Sequence, residues 1–277
     1  MKIIFAVAAI LLAGCAAQTP QPMRHCEGKK TAAEAIETLN SRRDKALPIR
    51  ATGQCLLRYN LEGKQHKENF PVKLWINPPD EIYLQGDVAF DAAGLVLGSN
   101  ADEFWFWLKP KEISTYWWGS WSQVNAPGRL ALNPNALLEA FGTVDFHNGD
   151  WSLARIGNLD VLVLNSEQGT VLKRVYIEPC DYVVSKIEYL DSAGRFGQAE
   201  FADYELIDEG FLVPTSIKIT AVTNDTGENS ALISLSSVKP IQFSEQQQQR
   251  LFVRPQPRGF EHVYQIIDGS AVEQKQE

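Results

Sequence analysis

Residues 101–121, ADEFWFWLKPKEISTYWWGSW, narrow what this chain can fold into more than any other stretch. They hold five of the seven tryptophans, together with Phe104, Phe106 and Tyr116. Two aromatic runs, Phe104–Leu108 and Ile113–Trp118, flank Lys109-Pro110-Lys111-Glu112, a polar turn whose proline cannot donate to a β-ladder. The pattern predicts a β-hairpin. A sheet with one wet face alternates apolar and polar residues, but Phe104, Trp105, Phe106 and Trp107 are consecutive aromatics. Both faces therefore need cover. Each such ring hides roughly 150–250 Å² when buried, so core, a helical lid or a greasy ligand must lie over each side.

Residues 1–14 read as a signal peptide. Lys2 supplies the positive start, Ile3–Leu12 the apolar segment, and Leu12-Ala13-Gly14-Cys15 the small-residue cleavage site. The apolar run is shorter than the ~20 residues that span a bilayer. Leu11-Leu12-Ala13-Gly14-Cys15 resembles the lipobox of bacterial lipoproteins. That resemblance implies cleavage before Cys15, acylation of Cys15 with palmitate-type chains, and membrane attachment through that anchor. Ala16, where an aspartate would favour inner-membrane retention, implies an outer-membrane destination facing the periplasm. Residues 15–30, polar with two prolines, read as a lipidated flexible tether.

Cleavage would leave 263 of the 277 residues, and a hydrophobic content of 44% supports a sizeable core. A net charge of −8 without a basic stripe argues against nucleic acid as a partner. Outside the cytoplasm two of Cys26, Cys55 and Cys180 can pair; Cys26 and Cys55 are nearer in sequence, Cys180 is equally eligible, and spacing does not decide. The oligomeric state is not legible in the sequence.

Thr31-Ala32-Ala33-Glu34 is a capping-box pattern, and Ala32, Ala35, Ile36, Leu39 and Ala46 follow helical spacing, predicting a helix over 31–46 ended by Pro48. Strands are expected at Ile49–Leu61, Phe70–Asn77, Glu81–Phe90 and Gly94–Gly98, ahead of the aromatic hairpin. Asn133-Pro134 opens a short helix through Phe141. The segment Thr143–Gly157 stays ambiguous. The strand rhythm then resumes at Asp160–Asn165, Val171–Glu178, Val183–Leu190, Gly197–Leu206, Val213–Ala221 and Ser230–Lys239, and Ser244 caps a last helical turn through Gln249. Strands of this length joined by short turns make an antiparallel meander in one domain, 31–267, followed by a polar tail, 268–277.

Catalytic chemistry has no support in the sequence, and the chain reads as a non-enzyme without cofactor or metal. The four histidines, His25, His66, His147 and His262, are scattered, and none stands at metal-binding spacing with another. His66-Lys67-Glu68 opens a zinc-deaminase signature whose cysteine half is missing, and reads as a polar loop. No nucleophile elbow, phosphate-binding loop or dinucleotide fingerprint occurs.

A lipobox, one N-terminal helix and a meander interrupted once by a short helix is similar to the LolA/LolB-like lipoprotein carriers. Leu97–Trp105 and Leu251–Phe260 also resemble stretches of outer-membrane lipoprotein-sorting sequences. The resemblance implies a mostly β fold with helices (α+β), a curved antiparallel half-barrel closed by a helical lid. It further implies binding of acyl chains or lipoproteins in an apolar cavity, in lipoprotein localisation to the outer membrane. Trp75, Tyr83, Phe104, Trp105, Phe106, Trp107, Trp117 and Trp118 are the candidate cavity residues. The two parities of the aromatic strand, Phe104/Phe106/Leu108 and Trp105/Trp107, would divide between the faces, and sequence does not say which set points inward. The family's membrane-anchored receptor carries an exposed apolar residue on a loop that touches the bilayer. Here that points to Phe90 and Leu95. The competing reading is a non-catalytic structural or carbohydrate-binding envelope lipoprotein, the latter requiring exposed faces on Trp117, Trp118 and Trp121.

Overall fold

A computed structural model of the chain describes residues 26–61, 63–88, 91–109, 113–123, 134–143, 146, 149–208, 210–223, 227–268 and 270–274. The expectations for the signal peptide, Cys15, Phe90 and the turn at 110–112 lie outside these residues. Helix α1 (Ala32–Arg43) leads into β1 (Ile49–Leu61), β2 (Lys64–Asn77), β3 (Glu81–Val88), β4 (Asp91–Ser99), β5 (Glu103–Leu108) and β6 (Thr115–Ser120). After α2 (Pro134–Ala140) come β7 (Asp150–Ile156), β8 (Leu159–Asn165), β9 (Val171–Glu178) and β10 (Val183–Asp191). The last of the chain forms β11 (Gly194–Asp208), β12 (Phe211–Thr223), β13 (Gly227–Pro240), α3 (Glu245–Phe252), β14 (His262–Ile267) and β15 (Ser270–Glu273).

The molecule is mostly β, and all 15 strands belong to one open sheet in the order β15-β14-β6-β5-β4-β3-β2-β1-β13-β12-β11-β10-β9-β8-β7. Two meanders, β1 to β6 and β7 to β13, are fused where β1 pairs with β13. Within each, neighbouring strands are antiparallel, as the short turns require. The expectation of a purely antiparallel sheet fails at one place: β14 runs parallel to β6, because the chain reaches it through α3 and a long crossing segment and not through a hairpin.

The sheet is bent. From β4 to β12 is five strand spacings, about 24 Å if flat, yet α2, only about 10 Å long, touches both. Register shifts supply the curvature, since an extra residue in one strand bends it. One lies at Thr52/Gly53, where a Cβ on Gly53 would meet Ser234 O at 2.1 Å, so only glycine permits that approach.

Alternation sorts the side chains. Ile49, Leu74, Ile76, Leu84, Leu97, Ile187, Val213, Ile217 and Ile233 point to one face and form the main core with Ala35 and Leu39 of α1 and Ala136–Phe141 of α2. On the other face, Val96, Trp105, Trp107 and Tyr116 form a second core with Phe260 and Val263. Both faces of the aromatic hairpin are therefore sheltered, as consecutive aromatics demand.

Several expectations need correction. α1 is capped by Thr31, whose Oγ1 accepts from Glu34 N at 3.2 Å, but Glu34 turns back to Lys30 N at 3.0 Å and the helix stops at Arg43. The 15–30 tether is not free throughout. Cys26 is disulfide-bonded to Cys180, and Lys29 N donates to Asp160 Oδ2 at 2.7 Å. Cys55 is the buried free thiol. The ambiguous 143–157 segment contributes edge strand β7, whose Trp151 packs on the main core. His66 and Glu68 sit in β2, not a loop: His66 stacks on Tyr59 at 5.2 Å, and Tyr59 OH donates to Glu68 at 2.7 Å. The tail begins with an exposed strand, β15, and the final helix runs on to Phe252.

Candidate functional site

α2 is built to cover apolar surface. Pro134 occupies its first position, where a missing N–H costs nothing. Thr143 closes its end, with N and Oγ1 both donating to Leu138 O. Its residues Ala136, Leu137, Leu138 and Ala140 are all buried. Where α2 meets the C-terminal half of α1 and the ends of β10, β11 and β12, a pocket remains. Its apolar wall is Leu39, Phe141, Phe146, Val184, Phe211 and Leu212; Arg42, Glu139, Tyr182 and Tyr204 supply its polar groups. The free volume is about 40 Å³, room for a few waters and not for an acyl chain.

The polar groups differ in how fully they are engaged. Glu139, 3% exposed, accepts from Lys173 Nζ and from Tyr189 OH, tying α2 to β9 and β10. Lys173 also lies 5.4 Å over the Tyr189 ring. Burial, with the Glu139 carboxylate second, holds the Tyr189 phenol well above its ordinary pKa. Tyr204 donates to Val184 O, and burial raises its pKa. Tyr182, raised by burial and then by Asp160, donates to Asp160 Oδ2 at 3.3 Å. That carboxylate also receives Arg155 Nη2 at 2.8 Å. Arg42 Nη1 donates to Asp181 O. Burial lowers the Arg42 pKa, offset by Tyr204 and the Asp181 carboxylate.

None of the eight aromatic candidates lines this pocket. Trp75 and Tyr83, 5.8 Å apart, lie with Trp105, Trp107 and Trp118 on the face away from α1 and α2. There the segment after α3 packs on Trp107, Tyr116 and Trp118. Arg254 lies 4.2 Å over Trp118 and pairs with Glu103 at 2.6 Å, and Tyr116 OH donates to Pro255 O at 2.8 Å. Phe260 packs on Trp107 and Tyr116. Phe106 and Leu108 face the main core. Trp117 is stacked between Phe106 at 5.3 Å and Tyr264 at 6.2 Å, and Phe104 packs on Trp121 at 4.6 Å. Trp117, Trp118 and Trp121, the residues a sugar platform would use, are each half-buried. Leu95, expected on an exposed loop, is 1% exposed within β4 and belongs to the main core; strand pairing with β3 and β5 carries it inward.

Sequence reasoning missed Leu39, Arg42, Phe141, Tyr204 and Phe211. The available signal was Phe141 at the end of a short apolar helix; the other four sit on elements whose convergence is non-local. Among the described residues no group of three His, Cys, Asp or Glu could hold a metal, and no helix is long and apolar enough to cross a membrane.

No protein-family model matches the sequence, and no curated protein matches it. Among solved structures the chain is similar to an outer membrane lipoprotein-sorting protein domain from Vibrio parahaemolyticus, at 17% identity over 78% of this chain and 94% of that one, TM-score 0.49. It is also similar to a LolA superfamily protein from Nitrosomonas europaea, at 14% identity, coverages of 79% and 97%, and TM-score 0.48. A DUF1329 family protein from Desulfovibrio piger matches at 15% identity, 78% and 96%, and TM-score 0.48. Likeness at this level carries no function across to this chain.

Proposed function

We propose that this chain is a non-catalytic protein of the bacterial envelope that binds acyl chains, of lipids or of lipoproteins, beneath a lid formed by α1 and α2. The bent sheet is then the half-barrel, and the pocket is where its filled apolar face would open to a ligand. One observation carries the reading. A continuous apolar sheet face, from β1–β4 round to β8–β13, is covered by two short helices and not by a second sheet. A lid of that size has few contacts to exchange, and each methylene of a ligand entering dry apolar surface returns ~0.8 kcal/mol. The signal segment with its lipobox and the Cys26–Cys180 disulfide support an oxidising compartment outside the cytoplasm. Anchoring through Cys15, delivery to the outer membrane and a role in lipoprotein localisation belong to this proposal.

The filled interior favours one other reading, a structural envelope protein with no ligand. A fluorescent fatty-acid probe separates the two. The purified chain without its acyl anchor should bind the probe, and a cysteine pair locking α2 to β12 should abolish binding until reduced. Absence of binding by the unlocked protein would leave only the structural reading.

A further inference from the structure

The pocket mouth has an electrostatic asymmetry that narrows its ligand. Of its two charged lining residues, Glu139 is satisfied by Lys173 and Tyr189. Among the described residues Arg42 has only a backbone carbonyl, Asp181 O, as a hydrogen-bond acceptor. A guanidinium offers five N–H donors, so most of its donor capacity is unspent. Lys45, one turn further on, places its ammonium against Gly210 of the pocket wall: a Cβ there would meet Nζ at 3.1 Å. Among the described residues neither cation forms an ion pair within salt-bridge range. Of the carboxylates nearby, Asp44 is taken by Arg43 at 3.1 Å, and Asp181 lies close enough to Arg42 to act on it electrostatically. Opposite the cations the wall is apolar. Phe211 and Phe141 of the lining belong to the main core and carry that wall inward.

Building on the acyl-chain reading above, we infer that the pocket takes an amphipathic anion. Its carboxylate or phosphate head is held at Arg42 with Lys45 at the rim, and its alkyl tail runs past Phe211 towards Phe141 beneath α2. A planar guanidinium fits either oxyanion bidentately, and its partly desolvated position strengthens the contact. Neutral acyl lipids lose that term and keep only the tail.

The experiment is competition against a fluorescent fatty-acid probe by laurate, dodecyl phosphate and dodecanol. The proteins compared are the wild type, Arg42→Gln, Arg42→Lys and Lys45→Gln. Glutamine can still donate to Asp181 O, and thermal midpoints check that each variant is folded. Arg42→Gln should weaken an anionic competitor about tenfold or more, the scale of one charge-assisted hydrogen bond, while dodecanol is unchanged. Arg42→Lys should restore part of the loss, and Lys45→Gln should cost less than Arg42→Gln. The tighter of laurate and dodecyl phosphate identifies the head. If Arg42→Gln binds all three competitors as the wild type does, the inference fails and acyl binding stands. If no competitor displaces the probe from any folded protein, the acyl reading itself fails.

Discussion

Lys173→Met tests whether the buried Glu139–Lys173–Tyr189 cluster holds α2 on the sheet. Glu139 is 3% exposed and both of its oxygens are engaged, one by Lys173 and one by Tyr189. Removing the ammonium leaves a buried carboxylate with one neutral donor. Breaking one partner of a buried pair costs about 3–5 kcal/mol, and the Lys173 side chain is 21% exposed, which places the loss near ~3 kcal/mol. Replacing the whole cluster with Glu139→Leu, Lys173→Met and Tyr189→Phe should return stability to within ~1 kcal/mol of wild type, because no unpaired polar group then stays buried. Urea unfolding followed by tryptophan fluorescence reads both values. Where the loss falls is a second question. If it falls on the closed position of α2 alone, the released population rises about a hundredfold. Amide exchange over 134–140 should then accelerate by that factor while β12 and β13 stay protected. A single-variant loss under ~1 kcal/mol would refute the reasoning; it would mean that pocket water solvates Glu139 and α2 is held by packing.

Gly98→Ala should destabilise by about 1–3 kcal/mol, since a Cβ there would meet the Trp105 indole at 2.2 Å; an unchanged urea midpoint would show that the ring can shift. Cys55, 3% exposed with its thiol pushed up to about 12 by burial, should resist a thiol reagent at pH 8 and react once urea is added. Because the folded pKa lies above the ordinary value of 9.0, the folded state keeps a proton that the unfolded chain releases. Stability should therefore fall between pH 9 and about 12, and Cys55→Ala should flatten that decline. Glu188 works in the opposite direction. Burial opposes its charge, but Tyr176, Lys186 and Arg174 outweigh that and hold it below the ordinary 4.5. Its stabilisation should be present above pH 4.5 and be lost as pH falls through the lowered value, so Glu188→Gln and wild type should converge in acid.

Much of the strand inventory was legible because its determinants are local. β1 and β9 match the expected Ile49–Leu61 and Val171–Glu178, and the hairpin 103–120 lies where consecutive aromatics placed it. The capped starts at Thr31 and Ser244 were readable for the same reason, a side-chain oxygen reaching a backbone N–H three residues on. The edges of the sheet were not. β7, with the exposed burial pattern of an edge strand, carries little alternation to read. β14 and β15 depend on β6 being available as a partner. The eight aromatics were singled out because aromatic mass suggests a wall, but the strap that follows α3 lies against Trp107 and Trp118, and no local pattern announces which segment will lie across another.

By itself the sequence determined a β-rich chain, with turns and helix caps set by contacts three or four residues apart and an aromatic hairpin obliged to be covered twice. Only the tertiary structure decided which parity faces α1 and α2, that Cys26 takes Cys180 across a separation of 154 residues, and that β1 joins β13 to fuse two meanders. It also brought Arg42, Phe141, Tyr204 and Phe211 to one pocket. The division has a physical cause: alternation and capping are satisfied within a few residues, whereas partner, face and pocket follow from how the entire apolar surface is buried at once.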